Sequence, residues 1–416
     1  MTSTLEHEHR AAAPGESVGE PCLLLKLGEV VLKGRNRDQF EKRLRDNIRS
    51  AAKDVPGEIT IWRREGVIAV RTTGDTDALA ERLRDVMGLV WVHRTRRVRK
   101  DPEVVVRAVL ELLAGHPAVA ANGAFAVRAR RRDKRFPMRS GELATLIGTK
   151  VQEAYDLPVN LKHPDVTVFV EVDRDEVFVF TDGLHGQGGL PVGMSGRALV
   201  LMSGGIDSPV SAYRMMRRGL RCDFLHFSGM PFTGPESIYK AYGLVRELDR
   251  FQGHSRLFVV PFGKAQQAIK SSGADRLQIV SQRRLMLKTA EALAARLHAG
   301  ALVTGDSLGQ VSSQTLTNLT ALDDAVDLPI LRPLVGWDKT EIMAEARRLR
   351  TLSISELPDE DCCTLLTPRR VETHAKIADL KQIEKRLDVE ELAERLAETA
   401  QLYRPETAAA AAPAGV

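Results

Sequence analysis

A glycine-rich turn near the middle of the chain carries the residues best suited to chemistry. Residues 203–208 spell SGGIDS, after an apolar run that predicts a strand and before a helical pattern. The two glycines let the backbone approach phosphate oxygens, because no Cβ blocks the way. The free N–H groups of a helix's first turn would point to the same place. We expect Ser208 to cap this helix and Pro209 to occupy its first position. The turn therefore predicts a nucleotide-phosphate site.

This turn is not a Walker A loop, because no lysine followed by serine or threonine closes it. A plain Gly-Gly turn after a buried strand is the alternative, but the strand before it and the cap and proline after it favour a phosphate site. The pattern SGGxDS resembles the PP-loop of ATP pyrophosphatases, which adenylate a substrate and release pyrophosphate. The resemblance implies that ATP is bound here.

A basic segment is the second feature that could bind a ligand. Residues 94–139 hold thirteen Lys or Arg and four Asp or Glu, whereas the whole chain has a net charge of only +5. A concentrated positive field attracts polyphosphate backbones, although charge runs are often simply solvated helix faces. Because these charges lie on several predicted elements, we expect them to share a face and bind nucleic acid.

Four cysteines, at positions 22, 222, 362 and 363, are too few for a disulfide framework in 416 residues. They also lack the C-x-x-C spacing of a zinc site. Cys22 and Cys222 lie in apolar runs, and we expect them to be small core residues. Cys362 and Cys363 lie in a loop-like segment, where a thiol could act as a nucleophile or be incidental.

The composition is typical of a soluble globular protein, with 43% hydrophobic residues, and no uncharged apolar run approaches the length of a membrane span. Residues 1–20 lack the apolar region of a signal peptide and are predicted to be a disordered leader. The Ala/Pro-rich residues 405–416 are predicted to be a disordered tail. We therefore expect a cytoplasmic protein.

The spacing of apolar residues divides the rest into an α/β multidomain chain. Residues 21–78 predict a ferredoxin-like α+β domain, residues 79–184 a second unit, and residues 185–196 a glycine-rich linker. In residues 197–404 strands and helices alternate, which predicts a doubly wound parallel sheet. Such sheets bind ligands at the carboxyl ends of their strands, where the SGGIDS turn lies. The strands predicted for this sheet are 198–202, 222–227, 256–262, 300–304 and 328–334.

Six segments, in this order, resemble the tRNA 4-thiouridine synthetases, or tRNA sulfurtransferases. They are KLGEVVLKGRNRDQFEKRL, VRARRRDKRFP, LMSGGIDSPVSAYRMMRRG, SQRRLMLKTAE, TGDSLGQVSSQTLTNL and PILRPLVGWDKTEI. The resemblance spans about residues 22–387, and it implies a ferredoxin-like domain, a THUMP RNA-binding domain at 79–184 and a PP-loop catalytic domain. Many family members add a C-terminal rhodanese-like domain that bears a persulfide. This chain is expected to lack that domain and to receive sulfur by another route.

The reaction implied by the resemblance replaces the C4 oxygen of uridine 8 in tRNA by sulfur. Adenylation turns that oxygen into a leaving group, and the pyrophosphate released from ATP needs its charge stabilised. Mg²⁺ on the phosphates is an expected cofactor, which Asp207 could orient, or Asp207 could be a structural acid of the loop. A cysteine desulfurase would pass a persulfide to Cys362, and Cys363 could resolve it. Homodimers and a link to thiamine biosynthesis are also implied.

The resemblance also assigns the site residue by residue. Lys339 would stabilise the adenylated intermediate, although it could instead be an ordinary lysine in a helix's first turn, where the helix dipole disfavours it. The predicted catalytic residues are Asp207, Lys339, Cys362 and Cys363. The predicted ATP-binding residues are Leu201, Met202, Ser203, Gly204, Gly205, Asp207, Ser208, His226, Phe227, Arg283, Gly305 and Gln314. The predicted tRNA-binding residues are Lys33, Arg35, Arg128, Arg130, Arg131, Arg132, Lys134 and Arg135.

Other functions stay open at this point. Another PP-loop enzyme, such as a 2-thiouridine synthetase or an amidating ligase, would share the SGGxDS turn. The absence of C-x-x-C pairs disfavours the first, and the long basic preface disfavours the second. A non-catalytic RNA-binding protein that senses ATP is a different class, and tRNA-dependent turnover of ATP to pyrophosphate would separate it from an enzyme.

Overall fold

The computed structural model describes residues 18–64, 66–358, 368 and 370–405. Most of the predicted leader and tail therefore lies outside the described residues, as do Cys362 and Cys363. The described residues form two compact units. The first is built from residues 18–31, 48–85 and 89–188, and the second from residues 32–47, 86–88 and 189 onward.

Within the described residues, an eight-stranded sheet is the framework of the first unit. Its strands are β1 (Glu20–Leu27), β2 (Ile59–Arg64), β3 (Val67–Thr72), β4 (Leu89–Val98), β5 (Phe125–Arg131), β6 (Val166–Val172), β7 (Val177–Phe180) and β8 (Gly183–His185). Their order is β2-β3-β1-β4-β7-β6-β5, with β8 also paired to β4. Because β4 pairs antiparallel with both β1 and β7, the two predicted N-terminal modules share one continuous sheet.

The helices of the N-terminal part begin where the sequence offers caps. They are α1 (Arg37–Ala52), α2 (Thr76–Leu83), α3 (Pro102–Ala114), α4 (Pro117–Ala120) and α5 (Ser140–Tyr155). The Asp75 and Asp101 carboxylates accept hydrogen bonds from backbone N–H groups in the first turns of α2 and α3, as N-cap residues do. Helices α3 and α5 pack against buried valines of β6 and β7, which form one core of this unit.

A six-stranded sheet forms the centre of the second unit, counted over the residues that the structure describes. Its strands are β9 (Arg197–Leu201), β10 (Arg221–Ser228), β11 (Leu257–Pro261), β12 (Leu302–Val303), β13 (Ile330–Leu331) and β14 (Gln401–Leu402). The order is β13-β12-β9-β10-β11-β14, and every pair is parallel except β11 with β14. Strands β12 and β13 are shorter than predicted, since the chain leaves the ladder after two residues to form the loops of the site.

Helices cover both faces of this sheet, which confirms the predicted doubly wound fold. They are α6 (Asp207–Arg217), α7 (Glu236–Gln252), α8 (Gly263–Ser271), α9 (Gln278–Leu297), α10 (Leu316–Asp323), α11 (Lys339–Arg348), α12 (Leu352–Ser355), α13 (Ile377–Leu387) and α14 (Val389–Glu398). Alternation along β9 sends Leu199 to one hydrophobic core, and Ala198 and Val200 to the other. None of the described helices combines the length and apolar composition that spanning a bilayer requires.

The start of α6 corrects one prediction. The helix begins at Asp207, and the residue before it, Ile206, has αR backbone angles and makes no side-chain cap. Ser208 is therefore inside the helix, and its Oγ accepts a hydrogen bond from the Ser203 N–H at 3.1 Å. The expectation that Ser208 caps the helix and that Pro209 comes first is wrong, because the hydroxyl closes the loop instead.

Candidate active site

The candidate active site lies at the carboxyl ends of β9 and β12. These two strands are neighbours in the sheet. The chain continues from β9 to β10 on one side of the pair, and from β12 to β13 on the other side. Because the two connections run in opposite directions, they leave a crevice at the strand ends, where ligands of doubly wound sheets bind. Residues 203–208 follow β9 and residues 304–306 follow β12, so both loops border this crevice.

The glycine-rich loop is held by its own serines. The Ser203 Oγ accepts a hydrogen bond from the Gly205 N–H at 3.2 Å, and the Ser203 and Ser208 hydroxyls lie 3.1 Å apart. Gly204 is buried, whereas Ser203 and Gly205 are exposed. The loop therefore has a fixed backbone with an accessible surface, which an anion cradle requires.

Gly305 brings the loop after β12 directly against this cradle. A Cβ at position 305 would lie 2.9 Å from the Ser208 nitrogen, 3.0 Å from the Asp207 carbonyl carbon and 3.1 Å from the Asp207 Cβ. Atoms at that distance overlap, so only glycine permits this packing. Gly305 thus packs directly against the backbone of α6, and its predicted contact with ATP stays a prediction.

Asp207 and Lys339, both predicted to be catalytic, meet in the structure. The Asp207 Oδ1 accepts a hydrogen bond from the Lys339 Nζ at 3.1 Å, and its Oδ2 accepts one from the Gln310 Nε2 at 3.0 Å. Their side chains are partly exposed, 22% for Asp207 and 45% for Lys339. Lys339 opens α11, where Asp338 and Glu341 form a capping box. These acids offset the helix dipole that disfavours a lysine there.

A second carboxylate, that of Asp306, organises the other side of the crevice. Its Oδ1 accepts hydrogen bonds from the Arg283 Nη2 at 2.5 Å and the Gln314 Nε2 at 3.2 Å. Its Oδ2 accepts from the Thr304 Oγ1 at 2.8 Å and the Arg332 Nε at 3.3 Å. Burial would raise the pKa of Asp306, but the charge of Arg283 and these hydrogen bonds hold that pKa below its usual value.

Asp306, Arg332 and Gln310 were not among the site residues predicted from sequence. A signal for Asp306 was present, because Gly305-Asp306 follows a predicted strand just as Gly205-Ile206-Asp207 follows another. Neither Arg332 nor Gln310 carries such a signal, since each is identified only by a partner distant in the sequence.

Three of the residues predicted to bind ATP, Met202, His226 and Phe227, are buried. Phe227 contacts Phe262 edge to face, and Met202 is buried at the end of β9. The His226 Nδ1 lies 2.9 Å from the Met202 carbonyl oxygen, and its Nε2 lies 3.1 Å from the Ser237 Oγ. Both ring nitrogens thus have protein partners, and nucleotide contact by His226 stays a prediction.

The described cysteines are unsuited to carrying sulfur. Cys22 and Cys222 are core residues, as predicted. Burial raises the pKa of the Cys22 thiol to about 12 and raises that of Cys222 as well, so neither is a ready nucleophile. Ser355, seven residues before Cys362, contacts the glycine-rich loop: its Oγ donates to the Gly205 carbonyl at 3.3 Å.

The basic residues of β5 lie at the edge of the eight-stranded sheet. Arg128 and Arg130 are exposed on this strand, and Lys134 and Arg135 are exposed in the loop after it. Arg131 and Arg132 are half-buried. Arg131 donates hydrogen bonds to the carbonyls of Phe136 and Met138 at 3.1 and 2.9 Å. Its guanidinium therefore stabilises the loop after β5.

Lys33 and Arg35 belong to the second unit. Arg35 is exposed, whereas the Lys33 ammonium lies 5.1 Å from the centre of the Phe40 ring. Among the described residues, no group of three or more His, Cys, Asp or Glu could hold a metal ion.

Comparison with known proteins gives matches along most of the chain. Three family models match: the ThiI ferredoxin-like domain at residues 22–92, the THUMP domain at 99–182 and the thiamine biosynthesis protein (ThiI) at 193–389. They confirm the predicted fold class, while the domain boundaries proposed from sequence stay predictions.

Individual relatives agree with these models. A probable tRNA sulfurtransferase of Nocardia farcinica is 52% identical over 388 residues, which is 92% of this chain and 94% of that protein. A probable tRNA sulfurtransferase of Moorella thermoacetica is 39% identical over 385 residues, 92% of this chain and 97% of that one. The crystal structure of a 4-thiouridine synthetase–RNA complex with bound ATP matches with a TM-score of 0.85 and 31% identity, covering 92% of this chain and 99% of that one.

Proposed function

The chain belongs to the ThiI family of tRNA sulfurtransferases, and we propose that it forms 4-thiouridine at position 8 of tRNA. In this reaction ATP adenylates the C4 oxygen of the uridine, and persulfide sulfur then displaces AMP. The observation that carries the proposal is the meeting of Asp207 and Lys339 beside the SGGIDS loop, at the switch point of the sheet. The binding of both RNA and ATP by a similar protein of known structure supports it.

The loop would bind the phosphates of ATP. Backbone N–H groups of Ser203, Gly204 and Gly205, with the first turn of α6, would hold the pyrophosphate that leaves. Arg283 and Gln314 would contact the rest of the nucleotide. Since no group of three or more His, Cys, Asp or Glu among the described residues could hold a metal ion, the triphosphate itself would supply most ligands of a Mg²⁺ that Asp207 orients.

Lys339 would act at the moment of bond formation. Negative charge builds on the oxygens of the transferred phosphoryl group as the C4 oxygen attacks it, and on AMP when AMP later leaves. Lys339, whose Nζ lies 3.1 Å from the Asp207 Oδ1, would stabilise that charge. Asp207 would then serve as the anchor that orients Lys339, together with Gln310.

Sulfur would be carried by Cys362. Because the other two cysteine positions, 22 and 222, are buried with raised pKa values, the adjacent pair at 362 and 363 is the better candidate. An external cysteine desulfurase would supply the persulfide. Its terminal sulfur attacks C4 and AMP leaves, so that a disulfide links Cys362 to the base. Cys363 or an external thiol then attacks the Cys362 sulfur, the S–S bond to the base breaks, and the thiolated base is released. The disulfide left on Cys362 is reduced by an external thiol before the next turnover. Ser355, before this segment, contacts Gly205 of the glycine-rich loop. Thr373, after it, contacts Thr315, the residue that follows Gln314. Both contacts support this assignment.

The tRNA would bind through exposed cations of β5 and the loop after it. A homodimer that shares one tRNA, a cytoplasmic location, and sulfur transfer toward the thiazole of thiamine are further parts of the proposal. The last is favoured by the description of the matched family model.

The test is reconstitution with tRNA, ATP, Mg²⁺ and either sulfide or a cysteine desulfurase with cysteine. Nucleoside mass spectrometry would detect 4-thiouridine in both assays with the unmodified protein. We expect Cys362→Ser to lower the desulfurase-dependent rate by about 100-fold or more. The matched control, Cys222→Ala, should keep its turnover per folded protein. Full activity of Cys362→Ser with both donors would remove this cysteine from the mechanism.

A further inference from the structure

The Asp306 carboxylate gathers side chains from three separate elements. Arg283 comes from α9, Gln314 from the loop before α10, and Arg332 from the residue directly after β13. All three donate hydrogen bonds to its two oxygens. The carboxylate itself is only 4% exposed. A buried charge with this many partners fixes the groups around it.

Two of the gathered side chains keep a buried polar atom without a partner among the described residues. These atoms are the Gln314 Oε1 and the Arg332 Nη2. Gln314 turns its amide nitrogen to Asp306, so its oxygen faces elsewhere as an acceptor. Buried polar atoms are nearly always paired in folded proteins. An unpaired acceptor and an unpaired donor, held by the same carboxylate, therefore point to a ligand.

The guanidinium of Arg332 is held on two sides. Its Nε donates to the Asp306 Oδ2 at 3.3 Å, and its Nη1 donates to the Asp323 Oδ1 at 2.7 Å. The side chain is 12% exposed. Because the guanidinium is planar and rigid, these two anchors fix the direction of the remaining Nη2.

We propose that Arg332 is a further nucleotide-binding residue, and that Asp306 is the positioning residue that holds it beside Arg283 and Gln314. This inference rests on the proposed function, in which Arg283 and Gln314 contact ATP. A donor and an acceptor gathered by one carboxylate match a ligand group that offers both kinds of hydrogen bond. On ATP such groups are the adenine edge and the ribose hydroxyls, whereas the triphosphate offers acceptors only. Arg332 thus donates to the nucleoside half of ATP.

The test measures dissociation constants of ATP and AMP for the full chain by isothermal titration calorimetry. Losing one charged hydrogen bond should weaken both ligands by the same factor, about tenfold or more, in Arg332→Gln. The matched control is Arg296→Gln, which removes an arginine of α9 that pairs with Glu394 on the surface and should leave both constants unchanged. Binding of 2′-deoxyATP and of ITP then separates a ribose contact from an adenine contact. If Arg332 contacts the group that an analogue lacks, Arg332→Gln no longer weakens the binding of that analogue.

Asp306 is tested by a double-mutant cycle. If Asp306 acts by positioning Arg332, then Asp306→Asn and Arg332→Gln together weaken ATP binding by less than the product of their separate factors. Thermal unfolding of each variant identifies those that fold. In a folded Arg332→Gln variant, an unchanged affinity, or a loss for ATP that AMP does not share, would overturn the inference. Failure of the unmodified protein to bind either nucleotide would instead overturn the proposed function, and this inference with it.

Discussion

The edge strand β5 and the crevice beside β12 use charge in opposite ways. On β5, Arg128 and Arg130 are exposed, so their field extends into solvent, where salt screens it. In the crevice, Asp306 is 4% exposed and Arg332 12%, and their charges are paired and fixed. Exposed charge of the first kind gives affinity for a polyanion. Buried charge of the second kind gives position, which catalysis needs.

This difference separates binding of the RNA from chemistry on it. Changes on β5 should alter the tRNA concentration that the enzyme requires. Changes in the crevice should alter turnover or nucleotide binding, at unchanged affinity for tRNA.

The largest expected effect is that of Lys339→Ala. Removing the cation that Asp207 holds should lower kcat by about 10²- to 10³-fold, as loss of one transition-state contact does, while the Kd for tRNA stays unchanged. Single-turnover formation of 4-thiouridine and filter binding of tRNA measure the two quantities. Lys381→Ala is the control, because Lys381 pairs with Asp324 and is 52% exposed. A loss of tRNA affinity in Lys339→Ala would contradict the separation of RNA binding from chemistry.

Gly305→Ala should have the next largest effect, and this effect should be confined to the crevice, with tRNA affinity unchanged. Its Cβ would overlap the backbone of α6, so the free energy of unfolding should fall by about 1–3 kcal/mol and ATP should bind more weakly. Urea denaturation measures the first quantity. The control is Gly148→Ala in α5, where a Cβ meets nothing within 4 Å and alanine should stabilise the helix slightly. Equal stability of the two variants would contradict the described packing.

On β5, the double substitution Arg128→Ala with Arg130→Ala should raise the KM for tRNA about tenfold and leave kcat unchanged. Each lost phosphate contact should also lower the slope of log affinity against log salt by about one. Lys150→Ala, which removes an exposed cation of α5, is the control. A salt slope equal to that of the unmodified protein would mean that these arginines do not contact phosphate.

The smallest effect is a dependence of stability on pH. The pKa of Asp306 is lowered in the folded protein, so its contribution is full above the ordinary carboxyl pKa of about 3.9 and is lost as the pH falls through the folded value. The loss in free energy of unfolding caused by Asp306→Asn should therefore be constant near neutral pH and become smaller in acid. Burial raises the pKa of Asp249, so Asp249→Asn should show the opposite trend. Denaturation at several pH values measures both, and equal trends would contradict the assigned environments.

Sequence pattern predicted much of the fold because local signals agreed with the final packing. Strand β9 occupies residues 197–201, where 198–202 was predicted, and β10 occupies residues 221–228, where 222–227 was predicted. The pattern failed where a distant partner decides the outcome. The Ser208 hydroxyl closes the loop instead of capping the helix, and β4 joins the two predicted modules into one sheet through a pairing with β1 that no local pattern predicts.

The site residues also fall into those that a sequence motif indicates and those that only distant contacts identify. Asp207 and Lys339 could be predicted because each lies in a recognisable motif, although their 3.1 Å contact joins residues 132 positions apart. Asp306 and Arg332 depend on contacts among four segments, which sequence spacing does not encode. Cys362 and Cys363 lie outside the described residues, so their roles stay predictions.

The most direct test of the central claim is the stoichiometry of ATP cleavage during thiolation of tRNA. With ATP labelled at the α-phosphate and the complete sulfur-transfer system, adenylation predicts one AMP and one pyrophosphate for each 4-thiouridine formed, and neither product when tRNA is omitted. Formation of ADP and inorganic phosphate, or of 4-thiouridine without ATP, would contradict the account.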